Sequence, residues 1–247
     1  KNFNYYTPTE IVFGNDSESK IGYLVRRYEG TKVLIHYGGK SAERSGLLND
    51  ICRQLDAEGI LYVKLGGVVP NPRLSKVYEG IELCRKEGVN HILAIGGGSV
   101  IDSAKAIAYG LAYDGDVWDL FDGKAEAKAC YPIGVVLTIP AAGSEMSNGC
   151  VITNEVGSRK RAYNNDLARP KFAIMNPERT FSLSTYQTAC GIVDIMMHTM
   201  ERYFSQEDDM ILTDELAESL LRTVKNSAYK VMLTPEDYRH RAQVMWA

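Results

Sequence analysis

Over the first two-thirds of the chain, short apolar runs rich in β-branched residues alternate with longer amphipathic stretches, the pattern of buried parallel strands joined by helices. Lys32-Val33-Leu34-Ile35-His36-Tyr37 reads as a strand. Gly38-Gly39 follows, then one helix from Ser41 to about Ala57, whose Leu47, Leu48, Ile51 and Leu55 recur at helical spacing. Ile60 to Leu65 reads as the next strand, and Leu74, Val77, Tyr78 and Ile81 line one face of a second helix that stops at Gly88. His91-Ile92-Leu93-Ala94-Ile95 is a third strand, ending in Gly96-Gly97-Gly98 and another helix. Asp114 to Lys128 reads as a solvated connection. Ile133 to Thr138, Cys150 to Thr153 and Phe172 to Met175 complete the strands, and Ile11-Val12-Phe13 reads as an edge strand open to pairing with a second copy.

Strand signals stop after Asn176-Pro177. From about Thr185 the pattern is three helices, broken near Gln206 and at Thr234-Pro235. The expected division is therefore an α/β region over 1–177 and a helical region over 178–247. Tyr238, Ala242, Met245 and Trp246 carry apolar positions to Ala247 without a cap or glycine, so the chain reads as cut short.

Charge narrows the functional classes. The 247 residues hold 28 Lys and Arg against 31 Asp and Glu, a net charge of −3, which leaves no basic surplus for a phosphate backbone or an anionic membrane surface. No apolar run approaches the roughly 20 residues that span a bilayer. The start, Lys1 to Tyr6, has no apolar signal core, and a cytoplasmic location is expected. Five widely spaced cysteines without a Cys-x-x-Cys pair read as reduced thiols.

Two stretches carry candidate chemistry. Gly96-Gly97-Gly98-Ser99, between a strand and a helix, suits a pyrophosphate: glycines allow close backbone approach, and the first-turn N–H groups and helix dipole favour the charge. A plain tight turn is the alternative, and Asp102 then serves only the helix terminus. The turn after Tyr37 is Gly38-Gly39-Lys40-Ser41, with no carboxylate for ribose hydroxyls, which favours the 2′-phosphate of NADP unless Lys40 is a solvated turn residue. In the second stretch Asp194 and His198, at i and i+4, share a helical face able to grip one divalent metal, or form a simple polar pair. Glu201 lies one turn on, while Ile192, Ile195, Met196 and Met200 read as core. His36 and His91 read as core or edge histidines and His240 as surface. Gly143-Ser144-Glu145 supplies no hydrolase elbow.

Gly38-Gly39-x-Ser41, Val69-Pro70-Asn71-Pro72, Gly96-Gly-Gly-Ser-x-x-Asp102, Gly143-Ser144-Glu145 and Gly191-x-x-Asp194-x-x-x-His198-x-x-Glu201 stand together in one order. The order resembles that of the iron-containing alcohol dehydrogenases, and most of all their butanol dehydrogenase branch. The resemblance implies a Rossmann-like α/β nucleotide-binding domain followed by an all-α domain, the dehydroquinate synthase-like architecture, here with the α domain incomplete. It places Gly97, Gly98 and Ser99 on the pyrophosphate with Asp102 supporting that loop, and Gly38, Gly39 and Ser41 on the adenosine ribose or its phosphate. Asn71, Thr138, Val151 and Lys160 surround the rest of the cofactor, and Asp194 and His198 match the first two metal ligands.

The implied cofactors are NADP or NAD with Fe(II) or Zn(II), and the implied substrates are primary alcohols and aldehydes such as butanol and butanal. A homodimer is also implied. Members of the family take two further histidine ligands from later helices, and His240, the only histidine after His198, matches neither. The family's acidic residue before Pro177 and proline at Ser184 are absent, and its threonine-rich loop is here Thr138-Ile139-Pro140-Ala141-Ala142. Two protein ligands retain a metal weakly, since catalytic zinc sites usually offer three. Rival expectations are a polyol dehydrogenase or dehydroquinate synthase-like enzyme on the same fold, and nucleotide binding without turnover.

Overall fold

The structure is a computed structural model that describes residues 2–205 and 210–247. Its centre is a six-stranded, all-parallel sheet built from β1 (Glu10–Phe13), β2 (Lys32–Tyr37), β3 (Leu61–Leu65), β4 (His91–Gly96), β5 (Ile133–Leu137) and, numbered after a separate ribbon, β8 (Phe172–Met175). The strand order is β1-β8-β5-β4-β2-β3. The apolar runs are continuous because both faces are covered. Val33 and Ile35 pack with Leu93, Ile95 and Val136 beneath α1 (Ile21–Arg27) and α3 (Leu47–Ala57). Leu34 packs with Ile92, Ala94 and Val135 on the opposite face, under α4 (Leu74–Glu87) and α5 (Gly98–Ala112).

The helix expected over Ser41 to Ala57 is two: α2 (Ser41–Arg44) and α3, separated at Gly46, whose φ of 78° is a left-handed conformation that favours glycine. Tyr78 turns outward from α4, its hydroxyl donating to Asp116 at 2.7 Å. The expected solvated connection over Asp114 to Lys128 instead folds α6 (Trp118–Phe121) into the core, where Val117, Trp118, Leu120, Phe121 and Ala127 are buried. Charged flanks mask that apolar plug in the sequence. Arg159 stacks over the Trp118 ring at 5.4 Å.

The strand over Cys150 to Thr153 forms, but outside the main sheet. As β6 (Gly149–Asn154) it pairs antiparallel with β7 (Arg159–Asn164), an exposed polar strand that periodicity does not reveal. The five cysteines are free. His36 and His91 are fully buried. The two ring nitrogens of His36 contact the Leu65 carbonyl and the Ser103 hydroxyl, each at 2.9 Å. Those of His91 have no hydrogen-bond partner among the described residues.

The helical region contains α7 (Thr185–Tyr203), α8 (Ile211–Leu233) and α9 (Tyr238–Trp246). The break expected at Gln206 lies outside the described residues; the one at Thr234-Pro235 separates α8 from α9. Ile192, Ile195, Val224, Val231 and Val244 form a small core between these helices. Met245 instead joins the sheet-side core, and Trp246 meets Phe13 of β1 edge-on at 5.5 Å. His240 is half-buried against Ser227 rather than on the surface. No helix among the described residues is long and apolar enough to cross a membrane.

Candidate functional site

The chain leaves β2 toward β3 on one side, then returns to place β4 on the other side of β2. Ligands of open α/β sheets bind at such a reversal, outside the carboxyl ends of the two strands. Both glycine-rich turns are there. Tyr37 ends β2 and leads into Gly38-Gly39; Gly96 ends β4 and leads into Gly97 and α5. Gly67 N–H donates to the Gly38 carbonyl at 2.8 Å, which pins the first turn. Gly97 caps α5 in an extended conformation, its carbonyl accepting from Val100 and Ile101 at 3.0 and 3.2 Å. A Cβ on Gly97 would overlap Ile139. The glycine thus permits a close crossing of backbone and side chain, while a Cβ on Gly39 would meet only open space.

A cavity of about 350 Å³ opens at this point, with Gly38, Ser41, Gly97 and Thr138 among its walls. Gly98 and Ser99 continue from Gly97 as the first residues of α5, whose initial N–H groups lack helical acceptors. These donors, the adjacent helix dipole and the glycine backbone fit a dinucleotide pyrophosphate. Asn71 and Lys160, 89 positions apart, also meet: the Lys160 ammonium donates to Asn71 Oδ1 at 2.8 Å. The ribbon docks there through Thr153 N–H on the Pro72 carbonyl at 2.9 Å.

Asp102 does more than face a helix terminus. Its carboxylate accepts from the Ser144 hydroxyl at 2.6 Å and from Val151 N–H at 2.9 Å, joining α5 to the 143–151 segment. Lys105, fully buried one turn on, donates to the Ser144 hydroxyl, the Ser147 hydroxyl and carbonyl, and the Gly149 carbonyl at 2.8–3.2 Å. Burial raises the Asp102 pKa, against Ser144 and Lys105, and lowers that of Lys105. Lys105 does not stand out in the sequence, because a lysine on a helix usually reads as a solvated charge. The i, i+3 spacing of Asp102 and Lys105 is the available signal.

A second cavity, about 300 Å³, lies between the Pro140–Ser147 segment and the helical region, and Glu145, Met146, His198, Thr199, Arg202 and Trp246 line it. Burial raises the pKa of Glu145. A Cβ on Gly191 would collide with the Pro140 carbonyl, which explains the glycine before Asp194. On α7, His198 Nε2 is 3.8 Å from Asp194 Oδ1, and its Nδ1 is 3.6 Å from Glu201 Oε2. Both members of the Asp194–His198 pair are half-buried. No group of three or more His, Cys, Asp or Glu side chains suited to a metal occurs among the described residues. The donor set is therefore too small for a resident Fe or Zn ion.

Comparison with known proteins follows the same division. The family model for iron-containing alcohol dehydrogenase matches residues 8–177. The model for the Fe-containing alcohol dehydrogenase family, C-terminal, matches residues 188–247. The chain is 42% identical over 245 residues to NADH-dependent butanol dehydrogenase A of Clostridium acetobutylicum, covering 99% of this chain and 63% of that protein. It is 37% identical over 250 residues to an NADPH-dependent aldehyde reductase of Escherichia coli, covering 100% and 63%. The crystal structure of NADH-dependent butanol dehydrogenase A from Thermotoga maritima superposes with a TM-score of 0.97 at 41% identity, over 100% of this chain and 62% of that one. The chain thus spans about 63% of the length of the curated relatives it matches.

Proposed function

This chain belongs to the iron-containing alcohol dehydrogenase family, and on that premise we propose that it serves NAD(P)-linked hydride transfer between a primary alcohol and its aldehyde, such as butanol and butanal. The observation that carries the reading is the β2–β4 crevice, where two glycine-rich turns and the start of α5 meet in one cavity. Residues 1–177 form the dinucleotide domain and 178–247 begin the helical one. When bound, the nicotinamide carries the hydride, delivered to the aldehyde carbon in reduction and taken from the alcohol carbon in oxidation.

The chain's own residues bind and orient. Gly97, Gly98 and Ser99 hold the pyrophosphate, and Gly38, Gly39 and Ser41 hold the adenosine ribose or its phosphate. Asn71, Thr138, Val151 and Lys160 surround the rest of the cofactor, a reading supported by Thr138 in the cavity wall and by the Lys160–Asn71 contact. Asp102 and Lys105 position the 143–151 segment between the two cavities, and holding reactants in place lowers the barrier. Lys40 beside Ser41, with no carboxylate in that turn, favours NADP over NAD. Asp194 and His198 are the metal-facing pair; being incomplete as a donor set, they are assigned no step. A second copy pairs along β1, an edge strand bonded only to β8 within the sheet.

Fluorescence titration with NADPH and NADH tests the site, and loss of reduced-nicotinamide absorbance with butanal or glycerol tests the reaction and its substrate class. Saturable binding with butanal turnover supports the proposal; no binding of either nucleotide overturns it. Binding without turnover is the second reading, favoured by the two-member metal pair. It predicts saturable binding and no aldehyde consumption even with Fe(II) or Zn(II) supplied.

A further inference from the structure

Arg179 is a cation that neither the glycine-rich turns nor the metal pair explains. It lies in the short turn Pro177–Thr180 after β8 and lines the β2–β4 cavity. Its Nε donates to Glu18, a carboxylate only 4% exposed. Asn176 Nδ2 adds contacts to the same carboxylate at 3.0 and 3.3 Å. Burying a carboxylate costs desolvation that an ion pair does not readily recover, so the pair is poorly explained as a staple alone. What it secures is orientation: with Nε and its carboxylate fixed, the guanidinium plane is fixed. The two terminal nitrogens make no hydrogen bond among the described residues, and the side chain keeps 26% of its surface accessible.

The cavity walls define what that plane meets. Gly97 and the α5 start mark one part, and Gly38 with Ser41 marks the next. The remaining walls mix apolar Ala42, Leu47, Phe181 and Leu183 with Arg179 and polar side chains that include Glu178 and Gln187. Mixed apolar and polar surface with one oriented guanidinium suits a flat heteroaromatic ring, because Arg stacks on π-faces, apolar groups cover the ring and polar ones meet its edge nitrogens. A second phosphate would share the cavity with the Glu178 carboxylate, beside a guanidinium already paired with Glu18. We infer that Arg179, oriented by Glu18, is the platform on which the adenine base of the dinucleotide stacks. This rests on reading the cavity as the NAD(P) site.

The test is calorimetric titration of the 247-residue chain with NADPH, NADH, 5′-AMP and nicotinamide mononucleotide. Arg179→Ala weakens the three adenine ligands by a common factor of about ten and leaves nicotinamide mononucleotide unchanged. Arg179→Tyr restores a π-plane without charge and binds adenine ligands within about threefold of the parent. Glu18→Gln, a positioning change, costs about threefold on the same three ligands alone. The inference is overturned if Arg179→Ala binds 5′-AMP as the parent does, if only NADPH is weakened, or if Arg179→Tyr is as weak as Arg179→Ala. A parent that binds no adenine nucleotide overturns the cavity reading itself; a parent that binds them while Arg179→Ala changes nothing overturns only the stacking.

Discussion

The sheet region and the helical region treat their apolar residues differently. Around the sheet, Val33, Leu34, Ile35, Ile92, Leu93, Ala94 and Val135 are all essentially inaccessible, each covered by helices on its own side. On α7, Tyr186, Cys190, Val193 and Met197 recur along one exposed stripe, and α8 exposes Leu212 and Leu216 in the same way. The small helical core of Ile192, Ile195, Val224, Val231 and Val244 cannot equal the two sheet-side cores. Anchors lie elsewhere: Met245 enters the sheet-side core, Trp246 rests on Phe13, and Arg241 donates to Thr188 and the Pro235 carbonyl. The helices therefore borrow order from the domain beneath them. The candidate chemistry divides alike, with two glycine-rich turns and the start of α5 beside one cavity at the sheet and the Asp194–His198 pair on α7.

The sharpest way to break this contrast is Lys105→Met, which removes an ammonium shared among four oxygen partners and leaves buried Asp102 without its nearby cation. A stability loss of about 3–5 kcal/mol is expected in urea denaturation of the sheet region. An effect below about 1 kcal/mol would mean the 143–151 segment is held by other contacts. Gly97→Val drives a side chain into Ile139, and an NADPH affinity loss of about a hundredfold, ~3 kcal/mol, is expected by fluorescence titration.

Acid acts on the sheet region through its histidines. Burial lowers His36 and His91 from 6.5 to about 4, so both fold neutral. Their contribution is complete above pH 6.5 and lost as pH falls toward 4; at pH 5 each has lost about 2 kcal/mol relative to pH 7. Asp102 and Glu145, raised by burial, act in the opposite sense as they protonate. His91→Leu removes one histidine share, so the pH 7 to pH 5 loss shrinks by about 2 kcal/mol in paired denaturation curves. An unchanged pH slope would place the acid sensitivity elsewhere.

Smaller effects address the helices. Trp246→Ala is expected to cost ~1 kcal/mol, read as faster amide exchange in α9; unchanged exchange would show that α9 does not depend on its seat against β1. Asp194→Ala, at a half-exposed pair whose nearest N···O distance is 3.8 Å, shifts stability by less than ~0.5 kcal/mol. Dialysed protein is expected to retain well under one Fe or Zn per chain by elemental analysis. Retention of a full equivalent would erase the difference between the two regions.

Much of this was legible in the residues because apolar continuity and glycine placement are local signals. The runs at Val33–Ile35 and Ile92–Ile95 lie in strands, and Gly97 sits at the crevice its spacing indicates. What stayed hidden depends on distant partners. The polar stretch Arg159–Asn164 becomes a strand by pairing with β6, and Trp118 and Phe121 are buried despite acidic neighbours. Lys105 and Glu18 look solvated until Ser147, Gly149 and Arg179 close around them. The Asp194–His198 spacing was plain, but spacing alone supplies no third ligand.

The contact of Trp246 with Phe13 has an optical consequence. The chain has two tryptophans, and they fall one in each region. Trp118 is enclosed beside Phe121, its ring covered by Arg159, whereas Trp246 is 63% exposed and rests on the edge strand. The enclosed indole emits toward the blue and the wet one toward the red, so a single emission spectrum holds a separate intrinsic reporter for each region. As the chain melts, the two ends of that spectrum distinguish helices lifting off the sheet from the sheet itself coming apart.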